Sequence, residues 1–257
     1  MTDEVIGIDD VNLIYASKHS SVHALDSISL AAHQGEFVAL VGPSGCGKST
    51  LLKLVAGLIP PSSGKIRVNG RPVSGPAPSV GVVFQNPLLM AWRTVLRNIL
   101  LQVEIRGLPI ERYTDTARDL IRLVGLDGFE NALPHELSGG MQQRVGLCRA
   151  LVHDPDLLLM DEPFGALDAL TREQMNAELQ RIWMERRKTV LFITHSITEA
   201  VFLADRVLVM TPRPGRISGE IQVALPRPRN VVSMEGQDFA RLTHEVRRYL
   251  NTTSPIE

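Results

Sequence analysis

Gly42-Pro43-Ser44-Gly45-Cys46-Gly47-Lys48-Ser49-Thr50 follows a short apolar run, Phe37-Val38-Ala39-Leu40-Val41. It precedes a stretch that puts Leu51, Leu52, Val55 and Leu58 on one face of a helix. Strand, glycine loop and helix in that order make a phosphate-binding P-loop. The glycines let the backbone curl until successive N–H groups point inward at phosphate oxygens. The helix that begins there adds unpaired amide donors and the positive end of its dipole. Lys48 is then placed to reach the β- and γ-phosphates of a nucleotide, and the Ser49 hydroxyl to hold Mg²⁺. The alternative is a glycine-rich turn that binds nothing, and the flanking strand and helix count against it. The loop alone does not say what the nucleotide is used for.

The 257 residues can bury a sizeable core, as one large or two closely joined domains. With 44% hydrophobic and 21% charged residues, the composition is that of an ordinary soluble globular chain. A formal net charge of −1 gives no bulk electrostatic case for nucleic-acid binding. No apolar run approaches the roughly 18 residues that span a bilayer, and no basic-then-apolar signal opens the chain. Any membrane role is therefore expected to be peripheral. The two cysteines, Cys46 and Cys148, are too few for a disulfide framework and fit a reducing cytoplasm. A catalytic thiol at Cys46 is not needed, since the loop position already accounts for a small side chain there.

From Val5 to Val41 apolar and polar residues alternate in short runs such as Ser27-Ile28-Ser29-Leu30, broken by the turn Ala32-His33-Gln34-Gly35. Together these read as an antiparallel β-layer. Tyr15 lies in it, either packing half-buried on a strand or stacking on an adenine ring. After the P-loop helix, Pro60-Pro61-Ser62-Ser63-Gly64 is a stop and Lys65 to Val73 a hairpin-like piece. Val80-Gly81-Val82-Val83-Phe84 is a buried strand that delivers Gln85 at its end, where ligands gather in open α/β sheets. Between Pro87 and Leu151 the periods become helical, over Val95–Ile105, Ile110–Leu126 and Met141–Leu151, as a helical insertion between strands of one sheet. At its entrance Leu88-Leu89-Met90-Ala91-Trp92 is either ordinary core or a partner-docking surface.

The helix at Met141 is introduced by Leu137-Ser138-Gly139-Gly140, with Ser138 as N-cap and two glycines that permit close approach of an anion. This is a second phosphate-type site with no lysine of its own. Leu157-Leu158-Leu159-Met160-Asp161-Glu162 is an apolar strand ending in two acids, either solvated at the strand end or, beside a P-loop, a second Mg²⁺ anchor at Asp161 and a proton acceptor for water at Glu162. Thr189–Ile193 is another apolar strand, ending at His195 and its candidate γ-phosphate contact. Arg206–Met210 reads as a strand, and Phe239–Leu250 as an amphipathic helix. No internal repeat or zinc-ligand spacing is present.

With these residues in view, the chain resembles the nucleotide-binding subunit of ATP-binding cassette (ABC) transporters over nearly its whole length. The resemblance rests on Gly42–Thr50, Gln85, Leu137-Ser138-Gly139-Gly140-Met141-Gln142-Gln143-Arg144, Leu157–Glu162, Ala166-Leu167-Asp168 and His195, all in family order. It implies an α/β fold: a RecA-like P-loop core with an antiparallel β-layer and an inserted α-helical subdomain. The expected layout is one cassette over 1–230, with 1–86 and 155–230 as the nucleotide-binding core and 87–154 as the helical subdomain, followed by a tail over 231–257. In the family, two cassettes pair head to tail, each ATP lying between one chain's P-loop and the other's signature segment, so that both surfaces are used twice. By resemblance, Ser138 and Gly140 meet the γ-phosphate held by the opposite chain, Gly139 between them belongs to the same nucleotide-binding set, and Tyr15 stacks on adenine. Asp161, with Ser49 and Gln85, serves Mg²⁺. Glu162 activates the attacking water, His195 clamps the γ-phosphate, Gln85 reports the nucleotide state to a membrane partner, and Asp168 sits at the dimer seam.

Leu88–Val95, Phe164–Arg172 and Pro212-Arg213-Pro214-Gly215-Arg216-Ile217 are similar to the branch that energises nitrate, sulfonate and taurine importers, with relatives serving phthalate-like acids and thiamine precursors. Gly165, where many cassettes carry Ser, agrees. The resemblance implies a homodimer on the cytoplasmic face of the inner membrane. A permease would dock near Gln85–Trp92, an extracytoplasmic binding protein would deliver the cargo, and nucleic acid would take no part. The residues left after the cassette are too few for a C-terminal regulatory domain. An exporter cassette is one alternative. A cassette acting on DNA or ribosomes is another, though its usual coiled-coil insertion or tandem duplication is absent here.

Overall fold

β1 (Glu4–Ala16) and β2 (Ser21–His33) form an antiparallel pair with Ile6 opposite Ala32, Ile8 opposite Leu30 and Leu13 opposite Leu25. In this computed structural model the described residues are 3–16, 20–165 and 167–253; Ala166 of the seam stretch and the last four residues of the tail lie outside them. Ile6, Ile8, Val11, Leu13, Leu25 and Ile28 are buried, as a covered sheet face requires, whereas Ile14 and Tyr15 near the end of β1 are exposed. The turn at Gln34-Gly35, with Gly35 at φ 71, then carries the chain out of this layer. The expected antiparallel layer up to Val41 is thus corrected at its end. β3 (Phe37–Val41), buried at all five positions, lies parallel to two later strands. A strand covered on both faces reads as a continuous apolar run, not as an alternation.

α1 (Lys48–Val55) begins inside the glycine loop. It ends before Leu58, which is half exposed, because Gly57 turns left-handed at φ 70 and stops the helix. β4 (Ser63–Val68) and β5 (Arg71–Pro72) are the expected hairpin, turning at Asn69-Gly70, and complete an antiparallel sheet in the order β2-β1-β4-β5.

Residues 78–186 form a second compact unit. β6 (Val80–Val83) opens it, and the predicted helix over 95–105 is two short ones, α2 (Val95–Ile99) and α3 (Leu101–Ile105). α4 (Ile110–Leu123) and α5 (Gly139–Leu151) follow, then β7 (Leu157–Asp161), which pairs parallel with β6 in the register Val83 opposite Met160. The unit closes with α6 (Ala169–Arg186), a long helix that the sequence reading passed over. Its buried face mixes Asn176 and Gln180 with Met175, Leu179, Ile182 and Trp183, so the apolar stripe that announces a helix is interrupted.

The first unit, residues 1–77 and 187–257, resumes with β8 (Thr189–Ile193), α7 (Ile197–Leu203), β9 (Arg206–Met210) and β10 (Ile217–Gln222). β3 sits between β8 and β9, parallel to each, and β10 runs antiparallel to β9. α8 (Val231–Glu235) and α9 (Gln237–Thr253) belong to the same unit, α9 packing on α7, β9 and β10. No described helix is long and apolar enough to cross a membrane.

The proline- and arginine-rich segment after β10 is anchored by Arg229, 2% exposed. Its guanidinium donates to the carbonyls of Val201, Phe202 and Ala204 at the end of α7, at 2.9, 3.1 and 2.7 Å, and to those of Val223 and Leu225. Burial lowers its pKa to about 10, with Arg227 adding to the effect, so it stays charged at neutral pH. The last carbonyls of α7 need this donor, because a helix end has no partner for them. Arg229→Ala is expected to cost about 3 kcal/mol. That is a fall of roughly 8 °C in melting temperature for a chain of this size, read by circular dichroism.

Candidate functional site

In the first unit, β3 delivers the glycine loop and β8 delivers His195 at the same edge, since Leu40 pairs in parallel register with Ile193. Gly42 is buried where the loop leaves β3, and Ser44 and Gly45 are exposed at its tip. Gly47 caps α1 at φ 108, and a Cβ there would come within 2.7 Å of Leu25 Cδ2. Only glycine satisfies both the left-handed backbone and this close approach. The Cys46 amide donates to Pro43 O across the loop at 3.3 Å. Lys48, 6% exposed, donates from Nζ to Gly42 O at 2.8 Å and Pro43 O at 3.1 Å. Its ammonium is thereby held inside the curl of the loop. Burial raises the Cys46 thiol above its ordinary range, with Lys48 opposing the effect, so at neutral pH Cys46 is a small packed side chain.

Ser49, exposed, and Thr50 follow on the first turn of α1. Tyr15 is 45% exposed near the end of β1, with its hydroxyl 3.5 Å from Thr50 Oγ1, so the open ring stands beside the P-loop helix. His195 is exposed, and its backbone is fixed from both sides. Buried Thr194 hydrogen-bonds buried Glu199 through its hydroxyl and accepts from the Ser196 amide at 3.0 Å, while Ser196 caps α7 by accepting from Glu199 N at 3.3 Å. Glu199, a buried acid three residues into a helix, has no signal in the sequence that marks it.

In the second unit the parallel pair β6–β7 brings Gln85 and the two acids to one edge. Asp161 is the last residue of β7 and Glu162 follows it at φ 43. A Cβ on Gly165 would lie 3.6 Å from both Gln85 Nε2 and Glu162 Oε2, so amide and carboxylate flank the space that a side chain at 165 would fill. α5 starts with Ser138 as N-cap, its Oγ accepting from Met141 N at 3.3 Å. Ser138 and Gly139 are exposed, whereas Gly140 is buried, where a Cβ would meet Thr171 Cγ2 at 3.0 Å. Asp168 accepts from the Thr171 amide at 3.0 Å and hydroxyl at 2.7 Å and so caps α6. Those bonds hold its carboxyl below the usual carboxylate range.

The stretch after Gln85 is not core at two of its apolar residues: Trp92 is 77% exposed, and Leu88, at φ 48, is also exposed. Its backbone is gripped by buried polar side chains to which the sequence alone assigns no such role. Gln143 Nε2 donates to Gln85 O at 2.6 Å, and Arg149 to Leu88 O at 2.9 Å and to Pro87 O. Asn98 accepts from Met90 N at 2.7 Å and donates to Arg93 O at 2.8 Å. The exposed apolar side chains therefore ride on a fixed loop.

Residues 25–165 match the ABC transporter family. The taurine import ATP-binding protein TauB of Rhizobium johnstonii is 45% identical, over 98% of both chains. The protein of that name in Burkholderia pseudomallei is 51% identical over 80% of each. An ABC transporter ATP-binding protein of Methanocaldococcus jannaschii is 47% identical over 91% of this chain and 88% of its own. Among solved structures, the dimeric bacterial ABC transporter cassette MJ0796 superposes with TM-score 0.75 at 30% identity, over 86% of this chain and 100% of the cassette. The same cassette in a post-hydrolysis state bound to ADP and Pi matches equally, TM-score 0.75 at 29% identity and the same coverage. CbiO1 of Clostridium perfringens, part of an ABC transporter complex, gives 0.76 at 27% identity over 98% of this chain and 96% of its own. The glycine loop, the strand-end acids and the serine-capped helix thus stand in an ABC ATPase fold, and the chain belongs to the ABC transporter family as one of its ATP-binding, ATP-hydrolysing cassettes.

Proposed function

We propose that this cassette is the energy-coupling subunit of a membrane importer for taurine, a sulfonate, nitrate or a related small organic anion or vitamin precursor. The relatives named for taurine import support the direction and the cargo class. The observation that carries the mechanism is the exposed Ser138-Gly139 start of α5, a phosphate-type surface without a lysine, in a chain whose only glycine-loop lysine is Lys48. Such a surface completes the site of a second copy. Two chains then pair head to tail and enclose two ATP molecules, as a two-fold axis permits, and the dimeric relative supports that pairing.

In this reading residues 42–50 cradle the phosphates, Lys48 neutralises them, and Tyr15 stacks on the adenine. Ser138, Gly139 and Gly140 approach the γ-phosphate of the opposite chain, and His195 clamps it. Glu162 takes a proton from the attacking water, while Asp168 stiffens the seam. Ser49, Gln85 and Asp161 offer a hydroxyl, an amide and one carboxylate, a hard oxygen set that suits Mg²⁺, which keeps waters and substrate phosphates among its ligands. Bound Mg²⁺ would spread the charge that develops on the phosphates. The nucleotide-binding core is 1–86 with 155–230, the helical subdomain 87–154, and the tail 231–257. ATP favours the closed pair and hydrolysis the open one, and that differential affinity does work on a permease docked near Gln85–Trp92. The cassette sits peripherally on the cytoplasmic face, an extracytoplasmic binding protein supplies the cargo, and nucleic acid plays no part.

The test is to reconstitute the cassette with the permease that co-purifies with it and follow ATP hydrolysis and taurine uptake. The reading expects several-fold stimulation by loaded binding protein and substrate accumulation inside vesicles. ATPase indifferent to the permease but stimulated by DNA, or outward movement of cargo, overturns it.

A further inference from the structure

The turn between β9 and β10, Thr211-Pro212-Arg213-Pro214-Gly215-Arg216, touches the phosphate loop at two consecutive backbone carbonyls. Arg213 Nε donates to Gly45 O at 3.3 Å. Gly215 lies so close to the next carbonyl that a methyl group on it would come within 2.1 Å of Cys46 O.

The turn is braced from elsewhere. Gly215 N donates to Ala24 O at 3.0 Å and the Asp26 amide returns a bond to Gly215 O at 3.0 Å, tying the turn to β2. The Arg216 guanidinium pairs with the Asp26 carboxylate, Nε to Oδ2 at 2.9 Å. The Thr211 hydroxyl accepts from Arg216 N at 2.9 Å and bonds Pro212 O at 3.0 Å, and the two prolines stiffen what lies between.

A trans peptide points its C=O and the following N–H in opposite directions. Carbonyls 45 and 46 held toward the turn therefore send the amides of Cys46 and Gly47 the other way, into the loop. The Cys46 amide does point across the loop, to Pro43 O. These are two of the N–H groups that form an anion nest. The same peptides carry the left-handed backbone of Gly45, φ 74, and Gly47, φ 108, which without restraint has other conformations open to it.

We propose that Arg213 and Gly215 are positioning residues for phosphate binding: their turn holds two phosphate-loop peptides with carbonyls out and amides in, ready for the β- and γ-phosphates of ATP. The proposal rests on residues 42–50 being the ATP site. Arg213 is exposed, so Arg213→Ala removes the donor without emptying any core.

The experiment compares wild type, Arg213→Ala and Arg213→Lys by calorimetric titration with ATP, ADP, inorganic triphosphate and adenosine, with steady-state ATPase and thermal melts alongside. For Arg213→Ala the expected result is a roughly tenfold weaker affinity for ATP, ADP and triphosphate, the scale of one lost charge-assisted hydrogen bond. Adenosine binding should stay within twofold, KM for ATP should rise with kcat little changed, the melt should hold, and Arg213→Lys should recover part of the loss. Unchanged phosphate affinity in Arg213→Ala, or an equal loss for adenosine, overturns the proposal while leaving the ATP site standing. A wild-type chain that binds neither ATP nor triphosphate overturns the ATP-site reading and this inference with it.

Discussion

Glu162→Gln is expected to lower ATP turnover by roughly a hundred- to a thousandfold while ATP still binds, leaving an ATP-bound dimer that does not come apart. The substitution keeps the size and reach of the side chain and removes its negative charge and its capacity to take a proton. Glu162 follows the last residue of β7 at φ 43, and its carboxylate shares the space at Gly165 with the Gln85 amide. A group held there by backbone geometry keeps its place when carboxylate becomes amide, so the loss falls on chemistry. A thousandfold loss corresponds to about 4 kcal/mol of transition-state stabilisation. If ATP closes the pair and hydrolysis opens it, blocking hydrolysis must accumulate the closed form. Size-exclusion chromatography with and without ATP, beside a phosphate-release assay, checks both halves. Turnover near wild type, or a variant that stays monomeric in ATP, removes Glu162 from its role and the two-state device with it.

The parts of the site legible in the sequence are those whose chemistry sits in contiguous residues at the end of a continuous apolar run. β3, β8 and β9 have the bounds expected of them because a strand covered on both faces is an unbroken apolar word, and the glycine loop, the two acids and His195 follow such words directly. What could not be read is what the fold supplies from a distance. Asn98, Gln143 and Arg149 grip backbone carbonyls of the loop that bears Trp92, yet in sequence each is one polar residue on a helix, where solvation is the ordinary expectation. α6 was passed over for a related reason: Asn176 and Gln180 are buried on the face that an apolar stripe should mark. The 211–216 turn could be seen as a stretch particular to one branch, but not as a brace for a loop some 170 residues earlier, because that contact exists only once β9 lies beside β3.

Gly139→Asp separates folding from function in opposite directions, and the resulting loss of ATPase should exceed a hundredfold in a chain that melts no lower than wild type. Gly139 is exposed on the first turn of α5, outside the left-handed region, and a Cβ placed there meets nothing within 4 Å. A carboxylate at that point lies at the positive end of the helix dipole, where it stabilises by about 0.3–1 kcal/mol. Alone, the chain should therefore be as stable or slightly more so. In the proposed pair the same point faces the γ-phosphate held by the other copy, and two like charges about 4 Å apart at a partly solvated surface repel by roughly 4 kcal/mol. ATP-driven pairing should accordingly fail although each glycine loop still binds ATP. Lys48→Ala is expected to be inactive for the complementary reason, having an intact helix start and a defective cradle. A mixed pair of the two variants contains one whole site, the cradle of the Gly139→Asp chain facing the helix start of the Lys48→Ala chain. Mixing two dead proteins should thus restore ATP-dependent dimers and turnover above the sum of the separate samples. A Gly139→Asp chain that hydrolyses and pairs like wild type would mean that this helix start never meets a phosphate.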